Sequence, residues 1–225
     1  ILTANITPKQ ISVNVGAQDK VFDGTVNATL TGGSLSGVIA GDSVTINTSG
    51  LTGAFDTPDV GTNKTVAVGG SALLGGTDAG NYAIAPANLK ANIAQKALTI
   101  TGTTVANKDY DGNTNATVTA GTLSGVVEGE TLGTTTATGQ FAGKDVVRNA
   151  QGAATTQNVT VAYTLANGAN AEHKASNYTL AGETQTATIN PKGLTITGST
   201  AANKVYDAGI TAKVTAGTLG GLVGD

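Results

Sequence analysis

His173, in the stretch ANAEHKASN, is the one imidazole in a chain of 225 residues that contains no cysteine. Nucleophilic and acid–base catalysis need an imidazole, thiol or carboxylate beside a positioned partner. No Ser–His–Asp or Cys–His set can be built around His173 by spacing, so it reads as a solvated loop residue. A transition-metal site needs clustered His or Cys ligands, and one His with no Cys does not supply them. Asp42, Glu128 and Glu130 stand in Gly-rich turns and form no glycosidase-like pair. Asp56 with Asp59, or Asp19 with Asp23, could combine with carbonyls around calcium, but neither an EF-hand loop nor a nonapeptide calcium repeat is present. The stretch GTLSGVVEGE is Gly-rich yet lacks the Lys–Ser/Thr ending of a phosphate loop. No catalytic, cofactor-binding or metal-binding residue is therefore assigned, and the chain is read as a non-enzyme.

Composition narrows the partners. Charged residues are 12% of the chain and the net charge is −3. Nucleic acid needs a basic patch, so no nucleic-acid partner is expected. No apolar run approaches the ~18 residues of a membrane span, so no direct membrane insertion is expected either. Aromatics are only 4%, with no Trp. Cores must then be thin and built from Val, Ile, Leu and Ala. Thr and Val favour strands, and 32 Gly mark turns and bulges. The absence of Cys suits an exported chain, in which a stray disulfide would obstruct secretion. A first residue of Ile rather than Met gives the expectation of a segment cut from something longer.

The elements that must position these residues are repeats. KVFDGTVNATL from Lys20 returns as KDYDGNTNATV from Lys108 and KVYDAGITAKV from Lys204. GSLSGVIAGD (from Gly33) returns as GTLSGVVEGE (Gly121) and GTLGGLVGD (Gly217). GAFDTPDVG (Gly53) matches GQFAGKDVV (Gly139), and DAGNYAI (Asp78) matches KASNYTL (Lys174). The order never changes. The boundary lysines Lys9, Lys96 and Lys192 stand 87 and 96 residues apart. Residues 1–8 thus read as the last strand of one repeat, 9–95 and 96–191 as complete repeats, and 192–225 as the start of a further, truncated one. Pro8 and Pro191 at two of the boundaries point to short, stiff joints.

Each repeat reads as all-β. In the first, strands are expected over roughly 10–16, 26–31, 43–48, 51–55, 64–69, 81–85 and 88–94, with turn signals between. Seven short strands suggest a tandem, Ig-like antiparallel β-sandwich; a β-grasp-like repeat is the alternative. Phe22, Asp23 and Gly24, with Tyr110, Asp111 and Gly112 and with Tyr206 and Asp207, read as a structural turn. The aromatic packs inward, Asp accepts from following amides, and Gly takes a positive φ. Ala208 displaces that Gly in the third copy. Tyr82 and Tyr178 are candidates for a tyrosine corner, whose hydroxyl bonds back to the backbone; the other reading leaves that hydroxyl in water. Thr rows at 134, 136, 138 and 184, 186, 188 could form flat faces. Asn-x-Ser/Thr stands at Asn5, Asn27, Asn47, Asn63, Asn115, Asn158 and Asn177, where glycans could attach.

Repeats of about ninety residues carrying KDYDG, LSGVIAGD, DAGNY and INPKGLTI in fixed order resemble the YDG-type repeats of very large bacterial exoproteins. These are filamentous-haemagglutinin-like surface adhesins, often exported by two-partner secretion. The resemblance implies an extracellular place, on a bacterial cell surface or in biofilm matrix. It implies a structural stalk in cell adhesion and biofilm formation, whose partners are neighbouring repeats of the same chain. The alternative is that each repeat binds exopolysaccharide or other copies of the adhesin, with Tyr110 and Tyr206 as the recurring aromatic platforms.

Overall fold

The computed structural model describes residues 4–224. The first repeat forms β1 (Lys9–Ala17), β2 (Lys20–Val21), β3 (Asn27–Ala28), β4 (Leu30–Ser36), β5 (Thr45–Asn47), β6 (Leu51–Phe55), β7 (Gly61–Gly70), β8 (Leu73–Gly75), β9 (Tyr82–Ile84) and β10 (Asn88–Ala94). The second forms β11 (Lys96–Thr101), β12 (Thr104–Val105), β13 (Lys108–Asp109), β14 (Asn115–Ala116), β15 (Val118–Thr119), β16 (Thr122–Ser124), β17 (Thr136–Phe141), β18 (Thr156–Thr164), β19 (Tyr178–Leu180) and β20 (Glu183–Asn190). The third copy adds β21 (Thr195–Thr197), β22 (Thr200–Ala201), β23 (Val214–Thr215) and β24 (Thr218–Gly220). The protein is all-β, and the described residues hold no α-helix.

Each complete repeat builds one five-stranded sheet in the same order. It is β2-β10-β7-β6-β3 in the first and β13-β20-β18-β17-β14 in the second. Two smaller sheets, β4-β1-β9 and β5-β8, complete the first repeat. The pairing is not antiparallel throughout, as the strand pattern had suggested. β1 runs parallel to β9 (Lys9 opposite Tyr82), and β2 runs parallel to β10 (Ile93 opposite Lys20). β13 and β20 repeat the second of these pairings, with Lys108 opposite Ile189. Parallel neighbours cannot be joined by a tight hairpin. Here nearly the whole repeat is the crossover, so the first and last strands meet without strain. The lysine phrase, read from sequence as a turn, therefore begins as a short strand against the repeat's last one.

Alternation along these strands makes the core. Val159 and Val161 of β18, Ala187 and Ile189 of β20, and Phe141 of β17 form one buried cluster. Val105, Tyr110, Val118, Val146 and Tyr163 pack around it. In the first repeat Ile11, Phe22, Phe55, Val66, Tyr82, Ala91 and Ile93 are the buried hydrophobic residues among those described. The opposite face of β17, β18 and β20 carries Thr136, Thr138, Thr160, Thr184 and Thr186, all exposed. In the third copy Val205, Tyr206 and Ile210 are exposed, at 89%, 90% and 103%.

Compact units and sequence repeats do not coincide. One unit takes in the chain up to Leu98 together with Gly125–Gly133 and Ala166–Thr179. The other takes in Thr99–Ser124, Thr134–Leu165 and the chain from Leu180. Two loops of the second repeat thus belong to the unit built on the first.

Core size sets an expected cost. Ile189→Ala deletes a fully buried side chain from a small cluster and should destabilise the second unit by about 2–5 kcal/mol. Ile196→Ala, at a position 63% exposed, should stay within about 0.5 kcal/mol. Urea unfolding of both variants checks this; equal effects would contradict the assigned core.

Candidate functional site

The three copies of the lysine phrase fold into the same turn. Lys20 Nζ donates to Asp23 Oδ1 at 2.7 Å and to the Thr25 carbonyl at 2.7 Å. Asp23 Oδ1 in turn accepts from the Thr25 amide at 2.9 Å. Lys108 bonds Asp111 at 2.7 Å and the Asn113 carbonyl at 2.9 Å. Lys204 bonds Asp207 at 2.6 Å and the Gly209 carbonyl at 2.7 Å. The ammonium is thus the centre of the turn, a role the sequence reading had not assigned. Its position also reaches the core: Lys20 and Lys108 each lie 5.6 Å from a ring centroid, Phe55 and Phe141 respectively. Hydrogen bonds from Lys108 and the Asn113 amide hold the Asp111 carboxyl below the ordinary Asp range. At Asp23 partial burial opposes the same effect, and the bonds from Lys20 and Thr25 outweigh it.

Glycine after the aspartate has two reasons. Gly24 and Gly112 take φ of 76° and 79°, where a side chain is strained. Each also faces a valine: a Cβ on Gly24 would lie 3.1 Å from Val127 Cγ1, and one on Gly112 3.0 Å from Val223 Cγ1. In the third copy the conformation is kept, and Ala208 itself takes φ 59°.

The aromatic of the phrase leads to the joint between repeats. Phe22, 2% exposed, meets Tyr178 edge-on, with ring centroids 5.3 Å apart at 79°. The Tyr178 hydroxyl accepts from the Val127 amide at 3.1 Å and donates to Glu130 at 2.7 Å. Tyr82 does the same in the first repeat, with the Ile39 amide at 3.1 Å and Asp42 at 2.5 Å. Each hydroxyl therefore bonds backbone, but that of a turn 43 residues earlier for Tyr82 and 51 for Tyr178. This links two of the recurring phrases: the turn ending in Gly-Asp or Gly-Glu is the docking partner of the Asn-Tyr corner. The residues read as scattered turn acids, Asp42 and Glu130, are the acceptors.

Asn177 completes the joint and was not foreseen as more than a glycan acceptor. It is 1% exposed. Its Nδ2 donates to Asp59 at 2.9 Å, and its Oδ1 accepts from the Val60 amide at 3.0 Å. Lys174 Nζ adds a bond to Asp59 at 2.5 Å. The Asp59 carboxylate loses hydration, yet the bonds from Lys174 and Asn177 keep it below the ordinary range. Lys174 is raised in turn by that carboxylate. Gln95, between β10 and β11, donates to the Ser176 carbonyl at 3.0 Å. A buried, doubly bonded Asn177 has no room for a glycan, whereas Asn158 stands exposed on β18.

The other carboxylates considered for calcium each meet protein donors. Asp19 accepts from the backbone and side chain of Asn92, and Asp56 pairs with Lys64 at 2.9 Å. Among the described residues no three His, Cys, Asp or Glu side chains converge. His173 ties its loop to the one before β17, where its Nδ1 accepts from the Thr131 amide at 3.2 Å.

Two measurements follow. Burial, with the Glu130 charge beside it, pushes the Tyr178 hydroxyl up to about 12 from 10.0. The folded state thus favours the neutral phenol, so the stability from this group is complete below pH 10 and is lost as pH rises towards 12. The difference in phenolate absorbance between the native chain and Tyr178→Phe should titrate near pH 12; a midpoint near 10 would contradict the buried corner. Ala208→Gly should relieve about 1 kcal/mol of left-handed strain. Exchange of the Gly209 amide, which bonds Asp207 at 2.9 Å, should then slow about fivefold.

No curated protein and no solved structure matches the chain. A family model described as the YDG domain matches residues 7–89 and again residues 94–187. Both matched stretches hold the lysine-centred turn and the Asn-Tyr corner, in the same order. The chain belongs to the YDG domain family.

Proposed function

We propose that this chain is a structural stalk segment of a large secreted bacterial surface adhesin, extending a binding tip or anchor in adhesion and biofilm formation. The observation that carries this reading is the joint. Asp59 and Phe22 of one repeat hold Lys174, Asn177 and Tyr178 of the next in a largely buried contact. A connection of this kind resists bending and pulling, because opening it breaks the bonds at Asp59 and Val60 together and exposes the Phe22 and Tyr178 rings to water. Flexible linkers between independent domains do not behave this way. The stalk works outside a bacterial cell, on its surface or in the matrix around it.

A second reading makes each repeat a module for exopolysaccharide or for other copies of the adhesin. Tyr206 would be its sugar platform, although the counterpart rings of the two complete repeats, Phe22 and Tyr110, pack against their own cores.

Small-angle scattering of the full chain should report an elongated particle with a maximum dimension well above that of a globule of equal mass. A compact particle would overturn the stalk proposal. A glycan array read with the native chain and Tyr206→Ala separates the readings. Binding that depends on Tyr206 would favour the module.

A further inference from the structure

The face that the first repeat offers to the second recurs on the second repeat. Phe22, Gly24, Asp59 and Val60 have Tyr110, Gly112, Asp145 and Val146 as counterparts in the repeated phrases. At the first face the Asn-Tyr corner is seated: Asn177 lies between Asp59 and the Val60 amide, and Tyr178 stands edge-on to Phe22. At the second face Tyr110, Asp145 and Val146 border a cavity of about 340 Å³ with no Asn-Tyr corner beside it, whereas the first face keeps one of about 320 Å³ with its corner seated. Its lining includes Tyr110, Asp145, Val146, Leu194, Leu222 and Val223. The Asp145 side chain is 79% exposed and meets Lys144 at 3.4 Å.

One partner is already in place. Val223 occupies, against Gly112, the position that Val127 occupies against Gly24, with near-identical clearance for a Cβ of 3.0 and 3.1 Å. Val127 and Tyr178 belong to one repeat and are bonded to each other, amide to hydroxyl. Val223 belongs to the repeat that opens with β21 to β24, so the established joint continues at the second face as far as its valine.

We propose that this cavity is the seat of an Asn-Tyr corner, contributed by the repeat whose opening strands are residues 195–220. The Asn amide bonds the Asp145 carboxylate and the Val146 amide. The Tyr ring stands against Tyr110, and its hydroxyl accepts from the Val223 amide. The occupant is set by chemistry: a carboxylate beside a backbone donor fits a primary amide, and an aromatic wall fits a ring edge. Tyr110 in place of Phe22 adds a hydroxyl to that wall, and Lys144 in place of Pro58 adds a cation 6.0 Å from the ring centroid. The proposal rests on the stalk reading and extends it from one joint to a series.

Two experiments test it. In the first, the full chain is lengthened beyond Asp225 with a second copy of residues 131–191, which brings that corner. Tyrosine iodination is then mapped by mass spectrometry. Tyr110 should react at least about tenfold more slowly than in the native chain, and Asp145→Ala should restore its reactivity. Unchanged reactivity of Tyr110 while the added strands show amide protection overturns the proposal. The second needs no added segment. Phe22→Tyr with Pro58→Lys converts the first face into the second kind, opposite a corner already present. If such a face accepts an Asn-Tyr corner, the Tyr178 phenol still titrates near 12. Titration near 10 in this variant overturns the proposal. An elongated scattering particle with a reactive Tyr110 would defeat the joint and spare the stalk; a compact particle with a protected Tyr110 would do the reverse.

Discussion

A lysine ammonium beyond the first strand of each repeat binds the oxygens of the turn that follows it, and the rest of the repeat depends on that contact. Lys20 gathers Asp23 and the Thr25 carbonyl, and Lys108 gathers Asp111 and the Asn113 carbonyl. An isolated surface ion pair contributes little. These are different, because the lysine side chains are only 17% exposed and their bonds include a backbone carbonyl. The lock fixes the direction in which the chain leaves β2 or β13. It thereby fixes where Phe22 or Tyr110 points, and a chain with 4% aromatics has few rings to misplace.

The ring then serves two packing problems at once. Phe22 is buried, yet the side chain that it meets edge-on, Tyr178, comes from the following repeat. Thin cores of Val, Ile and Ala leave each repeat with little apolar area to remove from water. Sharing an aromatic contact across the boundary is one remedy. Sharing a buried amide is another, since Asn177 has both its donor and its acceptor satisfied by the first repeat. This explains why compact units and sequence repeats are out of phase. The loops Gly125–Gly133 and Ala166–Thr179 go with the neighbour whose face they complete.

Much of this was legible in the sequence, and the remainder was hidden for physical reasons. The recurring phrases marked the turn, and Asp23 and Gly24 do what an Asp-Gly turn does. The all-β class followed from Thr, Val and Gly patterning. Parallel pairing of β2 with β10 was not visible, because strand direction leaves no local trace in two residues. The corner at Tyr82 and Tyr178 was visible as a motif, but its partner was not, since Ile39 and Val127 lie 43 and 51 residues away. A signal did exist: the phrase ending in Gly-Asp or Gly-Glu kept its acid in both complete copies. Asn177 was overlooked because Asn-Tyr-Thr also reads as a glycan acceptor, and only burial tells the two roles apart.

The third copy shows which features of the phrase are local and which are cooperative. Lys204 still binds Asp207 and the Gly209 carbonyl, so the turn forms from its own residues. It even holds Ala208 at a positive φ. Tyr206 nevertheless remains 90% exposed, whereas Phe22 is buried beside the five-stranded sheet of its repeat. The lock therefore sets the direction of the aromatic without burying it, and burial comes from strands much further along the chain. In a tandem array this separation has a consequence. Each turn needs only its own eleven residues, whereas the joint at Asp59 needs Asn177, 118 residues further along the chain.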